Sequence, residues 1–273
     1  MIMKKAKKYL LNILLLLISL FGLLPFYFMF ILSTNNTEDI YKGLVILPRG
    51  YILQNLKTVF ESNFLAFYWN SIYVAVLSTV LCTMISALTG FAFAKYRFKG
   101  RDGLYNFILM TMMIPTQLGL VAYIIQMKTM GLNKTHLPLI IQWGASAFGV
   151  FWMNQYIRSN VPTEVIESAR IDGCNELRTF ISIVIPYIKP ALVTLSILVF
   201  MWSWNNYLLP VVIINKPGMY TIPLGIATLG NLYRNDYAAK IMGLSLGTLP
   251  AIIIFIAGSR SFIRGITAGA VKG

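Results

Sequence analysis

The chain has 273 residues, 57% of them hydrophobic and only 12% charged, with a mean hydropathy of +0.69. A soluble globular domain carries about a quarter charged residues, so the composition excludes that class and points to a membrane protein. A net charge of +14 is shared with nucleic-acid-binding proteins, yet in a membrane chain the placement of Lys and Arg says more than their sum, and no nucleic-acid partner is read from it.

A helix rises about 1.5 Å per residue and needs about 20 residues to cross about 30 Å of hydrocarbon, where a central charge costs roughly 2.5 to 3.5 kcal/mol. Charge-free runs are therefore the signal. Six occur, at residues 9–32, 70–94, 104–127, 137–157, 190–215 and 241–259, and all 23 Lys and Arg and all nine Asp and Glu fall outside them. They predict an all-α polytopic protein with six transmembrane helices in a single membrane domain, residues 1–273.

The first run follows basic Met1 to Lys8 in the manner of a signal peptide. It is too long for that, and Pro25 to Phe28 stands where small cleavage-site residues would be needed, so an uncleaved helix is expected. Pro25, Pro115, Pro138, Pro210 and Pro250 should each kink or loosen a span. Cys82 lies in the second run and Cys174 in a charged segment, which suggests neither a disulfide nor a metal site. His136, between runs three and four, has no second ligand. Residues 217–233 are also uncharged, but they are short and carry Pro217, Gly218, Pro223, Gly225 and Gly230, so a re-entrant or surface loop is expected.

Basic residues fix the orientation. The N-terminus, the segments after the second and fourth runs, and the C-terminus hold 15 of the 23 Lys and Arg, which predicts that both termini are cytoplasmic. Residues 158–189 then form a cytoplasmic loop. Within it, Pro162 suits a first helical turn, Glu164 complements the dipole, and Gly173 can take the left-handed conformation that ends a helix. Asn175 can cap a second helix, with Leu177, Phe180, Ile181 and Val184 on one apolar face and Pro186 as its stop.

Such a helix, glycine bend and helix would suit either the lipid headgroups or a cleft on a soluble protein. A headgroup helix favours Lys and Arg, whereas residues 164–178 hold four acids (Glu164, Glu167, Asp172, Glu176) and two bases (Arg170, Arg178), which favours a protein partner.

The stretch ESARIDGCNELRTFISIVIP resembles the EAA loop of permease subunits of bacterial ABC importers, through Glu167, Ala169, Asp172, Gly173 and Pro186. Ser168 and Cys174 replace alanines of that pattern with other small residues. WSWNNYLLPVVI, YTIPLGIATL and the ending GITAGAVKG resemble the carbohydrate-uptake branch, which holds the second membrane subunit of the maltose transporter. The resemblance implies that Glu164, Glu167, Ser168, Ala169, Arg170, Asp172, Gly173 and Cys174 form a coupling helix seated in a cleft of an ATPase subunit, and that Gly265, Gly269, Lys272 and Gly273 contact the ATPase dimer. It further implies a second permease subunit, two ATPase subunits and an extracytoplasmic solute-binding protein.

Uncharged polar groups in lipid are costly unless they face protein or water, so Gln142, Asn205 and Asn206, with Trp204 and Tyr207 for stacking on sugar rings, are candidates for the translocation path. Interhelical hydrogen bonding and an aromatic belt explain the same residues. A six-helix channel or sensor does not account for the bent acidic loop. No G-x-x-x-x-G-K stretch exists, so ATP and Mg would be bound by partners and no cofactor by this chain. The expected cargo is a sugar or oligosaccharide, with a glycerol phosphate ester as the alternative in the same branch.

Overall fold

The computed structural model describes residues 2–230 and 236–270. In chain order its helices are α1 (Ile2–Ser33), α2 (Thr37–Tyr41), α3 (Ile52–Glu61), α4 (Phe64–Lys95), α5 (Arg101–Thr111), α6 (Leu120–Thr129), α7 (Leu137–Ile141), α8 (Ala147–Asn160), α9 (Thr163–Ile171), α10 (Glu176–Thr179), α11 (Ile185–Trp204), α12 (Leu208–Ile213), α13 (Ile222–Ala227) and α14 (Tyr237–Ala270). By length and apolar character, four stretches among the described residues can cross a membrane: 7–33, 64–95, 176–204 and 237–259. Residues 101–111 and 116–129 make a fifth if the two helices, bent by 91°, are one crossing.

A proline marks one of the places where the apolar runs break. The residue before a proline is pushed out of the helical region, and a proline also lacks the N–H that continues a helix. Pro115 accordingly stands at the start of the 3₁₀ turn Thr116–Gly119 that separates α5 from α6. Run 137–157 is likewise in pieces: α7 opens on Pro138, a 3₁₀ turn follows over Gln142–Ala145, and extended Ser146 caps α8 by accepting from the Gly149 N–H at 3.1 Å. Pro25 and Pro250 stay inside α1 and α14.

One expected stop does not occur. Pro186 lies in the first turn of α11, and helical structure runs without interruption from Glu176 to Trp204. The turn before it, Phe180–Val184, is a π turn. This wider turn makes room for the pyrrolidine ring that would otherwise strike the carbonyl four residues back. At the other end the run expected to reach residue 215 stops at Trp204, and α12 begins after a break at Asn205 to Tyr207.

The chain divides into two compact units. The first comprises residues 1–65 and 225–249. Its α1 leaves the apolar side chains from Tyr9 to Leu24 exposed on every face. Beyond α1, Asn55 of α3 donates to the carbonyls of Ser33 (2.7 Å) and Asn35 (2.8 Å). The Thr37 hydroxyl donates to Asp236 at 2.8 Å and accepts from the Ala238 N–H at 3.1 Å, which ties α2 to the start of α14.

The second unit comprises residues 66–224 and 250–273. Its core is a seam of α4, α8 and α11, with Cys82, Phe91, Met153, Ile157, Ile188 and Leu195 buried together. Small residues bring the backbones close, as is usual for helices that pack in membranes. A Cβ on Gly90 would lie 2.9 Å from the Asn154 backbone nitrogen, and one on Gly149 would strike the Ser86 hydroxyl. His136 bridges segments here, with Nε2 donating to the Met219 carbonyl at 2.7 Å and Nδ1 accepting from the Tyr73 hydroxyl.

Candidate coupling site

The charged segment is built on that core. Ile166 and Ala169 of α9 are buried, with Ile166 in the same cluster as Phe180 and Val184 of the π turn. Fully burying an isoleucine stabilises by about 1.5–3 kcal/mol, enough to hold a nine-residue helix that would be marginal in isolation. Glu164, Glu167, Ser168, Arg170, Asp172 and Gly173 are all exposed. The inward position of Ala169 makes it part of the footing, while its neighbours project.

The bend is a Schellman motif. Gly173 has φ +79°, its N–H donates to the Arg170 carbonyl at 3.1 Å, and the Cys174 N–H donates to the Ala169 carbonyl at 3.0 Å. Asn175 then caps α10 by accepting from the Arg178 N–H at 2.8 Å. Nothing lies within 4 Å of where a Gly173 Cβ would sit, so the need for glycine comes from φ alone. An open groove beside the bend is lined by Glu164, Ser168, Ala169, Asp172 and Cys174 with Val165 and Ile183, and so gathers five of the eight residues expected to form the coupling helix.

The Arg170 guanidinium reaches across the bend to Glu176, with Nε to Oε1 at 2.9 Å and Nη2 to Oε2 at 3.3 Å. It also lies over the Tyr96 ring, 5.4 Å from the centroid, and the Tyr96 hydroxyl donates to the same carboxylate. The hydrogen bond that Arg170 donates to Glu176 raises the pKa of Arg170, and burial, reinforced by Glu176, raises that of the Tyr96 phenol. The Glu167 carboxylate has no hydrogen-bond or ion-pair partner among the described residues.

Three features here escape a sequence pattern. The apolar face expected of Leu177, Phe180, Ile181 and Val184 splits: Phe180 and Val184 are buried, whereas Leu177 is 64% and Ile181 56% exposed. Ile171 is 86% exposed beside the bend. Tyr96, 80 residues from Glu176 in sequence, carries no local signal of its role.

The path candidates are divided. Trp204 is buried, stacked on Phe200 at 5.6 Å and met edge-on by Tyr68 at 5.8 Å. Asn205 and Tyr207 are exposed, and Asn206 is half-buried. Asn205 Nδ2 donates to the Met201 carbonyl at 2.8 Å and Gln142 Nε2 to the Leu139 carbonyl at 3.0 Å, which leaves both amide oxygens free of those bonds. Beside Gln142, Trp143 stacks parallel to Trp202 at 6.2 Å. Gly265 and Gly269 lie on the last turns of α14, and Lys272 and Gly273 lie outside the described residues.

Helices able to cross a membrane define a polytopic membrane component, and a bent, capped, exposed segment is rooted between α8 and α11. Residues 83–267 match the family described as binding-protein-dependent transport system inner membrane component. The lactose transport system permease protein of Rhizobium radiobacter is 32% identical over 252 residues, 92% of this chain and 91% of that protein. The arabinooligosaccharides transport system permease protein of Halalkalibacterium halodurans is 34% identical over 242 residues, 87% and 86% of the two chains. A crystallised bacterial ABC transporter involved in importing the acidic polysaccharide alginate has the same fold in one chain, with a TM-score of 0.78, 24% identity, and coverage of 94% of this chain and 97% of that one. The chain belongs to the family of binding-protein-dependent transport system inner membrane components, the permease subunits of ABC importers.

Proposed function

We propose that this subunit pairs with a second permease to carry a sugar or oligosaccharide, delivered by an extracytoplasmic binding protein, across the membrane. Two separate ATPase subunits hold the ATP and Mg and supply the work. The lactose and arabinooligosaccharide permeases among its relatives support a carbohydrate cargo. In this reading the chain crosses six times with both termini in the cytoplasm, the broken stretches 101–129 and 137–160 supplying the third and fourth crossings. Segment 158–189 lies on the cytoplasmic face.

The observation that carries the reading is a segment rigid at its foot and exposed at its tip: Ile166, Phe180 and Val184 are packed in the core, while Glu164, Glu167, Ser168 and Asp172 face out. A cleft on an ATPase that moves on nucleotide closure would move this segment as a body and with it α8 and α11. Gly173 and Cys174 set its bend, and Gly265 and Gly269 of α14, with Lys272 and Gly273 of the sequence after it, add a second contact. Gln142, Asn205, Asn206 and Tyr207 line the path, with Trp204 supporting them from behind.

Copurification of the tagged chain from native membranes tests the assembly, and a cysteine at Ser168 tests the contact. Capture of an ATPase with a Ser168→Cys crosslink to it, together with oligosaccharide binding by the captured binding protein, is the expected outcome. A Ser168→Cys label reactive only from outside intact cells would overturn the reading.

A further inference from the structure

We infer that the end of α4 is the mount through which the coupling segment moves the membrane helices, and that Tyr96, Arg170 and Glu176 are its positioning residues rather than contacts to the ATPase. The inference rests on the coupling reading above. Two consecutive residues at the end of α4 grip the two ends of α9. Lys95 Nζ donates to the Val161 carbonyl and to the Thr163 hydroxyl at 3.2 Å, at the start of α9. Tyr96 holds the other end, under the Arg170 guanidinium and against the Glu176 carboxylate.

The geometry closes a ring. Arg170 lies before the glycine bend and Glu176 after it, so their two-pronged pair spans the non-helical stretch Gly173 to Asn175 between α9 and α10. The Tyr96 N–H donates to the Ala92 carbonyl at 3.0 Å, which continues the helical pattern of α4 into Tyr96. Below the polar contacts, the Tyr96 ring meets Phe91 edge-on at 5.4 Å, and Phe91 packs on Phe180 of the π turn at 5.5 Å. A displacement of the bend is thereby passed to α4 by polar contacts above and aromatic contacts below. The Arg170 and Glu176 side chains are 39% and 51% exposed, so the pair adds little to folding stability. Its value is in fixing an angle, and that is what distinguishes it from a structural ion pair.

The test uses the whole transporter, with ATPases, partner permease and binding protein, in proteoliposomes, and reads solute uptake per ATP hydrolysed. Tyr96→Phe removes the hydroxyl donor, and Glu176→Gln removes the charge. Each should keep ATPase association and hydrolysis while uptake per ATP falls several-fold. The double variant should be no worse than Glu176→Gln alone, because the two act as one unit. The exchanged pair Arg170→Glu with Glu176→Arg should recover much of what either single change loses. Native uptake per ATP in Tyr96→Phe and Glu176→Gln overturns the mount, and so does loss of ATPase association in either one. The coupling reading itself fails separately, if the Ser168→Cys crosslink to the ATPase is absent from the otherwise native complex.

Discussion

The seam between α4 and α8 and the bend at Gly173 are both places where a glycine is required, and they require it for opposite reasons. At Gly90 the backbone conformation is ordinary and the space is full: a Cβ would lie 2.7 Å from the Met153 Cβ and 3.0 Å from the Met153 carbonyl carbon. At Gly173 the space is empty and the conformation is unusual, with φ +79°. The seam is held by fit, the bend by local hydrogen bonds and a cross-bend ion pair. The foot of the segment is packed in the core through Ile166, Phe180 and Val184, while the exposed bend keeps its shape through polar contacts.

The sharpest way to separate these two roles is to fill both glycines. Gly90→Val forces α4 off α8; overpacking costs about 1–3 kcal/mol where side chains can yield, and here backbone atoms resist, so a large drop in melting temperature and little monodisperse protein are expected. An unchanged melting curve would sink the argument from fit. Gly173→Val should instead lower the melting temperature by only a few degrees while uptake falls at least several-fold, since strain of about 1–2 kcal/mol or somewhat more for a β-branched residue falls on an exposed bend where no atoms collide. Gly173→Asn, which tolerates positive φ, should retain most of the uptake; equal loss in both would argue against φ as the cause.

A smaller effect is expected at the tip. Ile171→Asp or Leu177→Asp should weaken ATPase binding, measured by titration of the purified ATPase, by about tenfold, equivalent to about 1.4 kcal/mol, without changing thermal stability. Unchanged affinity would mean that the exposed apolar side chains face lipid. The smallest change is predicted for Asn205→Ala, a few-fold rise in the solute concentration that half-saturates uptake, consistent with about 0.5–1.5 kcal/mol for one hydrogen bond. A rise as large for Trp204→Phe would contradict the burial of Trp204.

The membrane class was legible because charges avoid hydrocarbon, and no packing knowledge is needed to see where they are absent. The bend was legible for a related reason: Gly173 and Asn175 act on backbone atoms within four residues of themselves, so local chemistry suffices. The kink at Pro115 was legible too, but the breaks at Gln142–Ala145 and Asn205–Tyr207 were not, because apolar residues look alike in a continuous helix and in its pieces. Pro186 misled in the other direction, since a π turn is a tertiary accommodation with no composition of its own. Tyr96 was invisible because its partner is 80 residues away. The four-residue spacing of Leu177, Phe180, Ile181 and Val184 was read as one stripe, but only two of the four meet the core.

The widened turn at Phe180–Val184 also sets the phase of everything after it. One additional residue in a turn rotates the following helix by about 100° relative to an unbroken one. Ile188, Ala191, Leu195 and Val199, which follow it, lie in the same buried cluster as Phe180 and Val184 of the turn. Deleting a single residue there is expected to turn a different side of α11 toward α8, so the irregularity acts as an index mark that sets α11 against the residues before it.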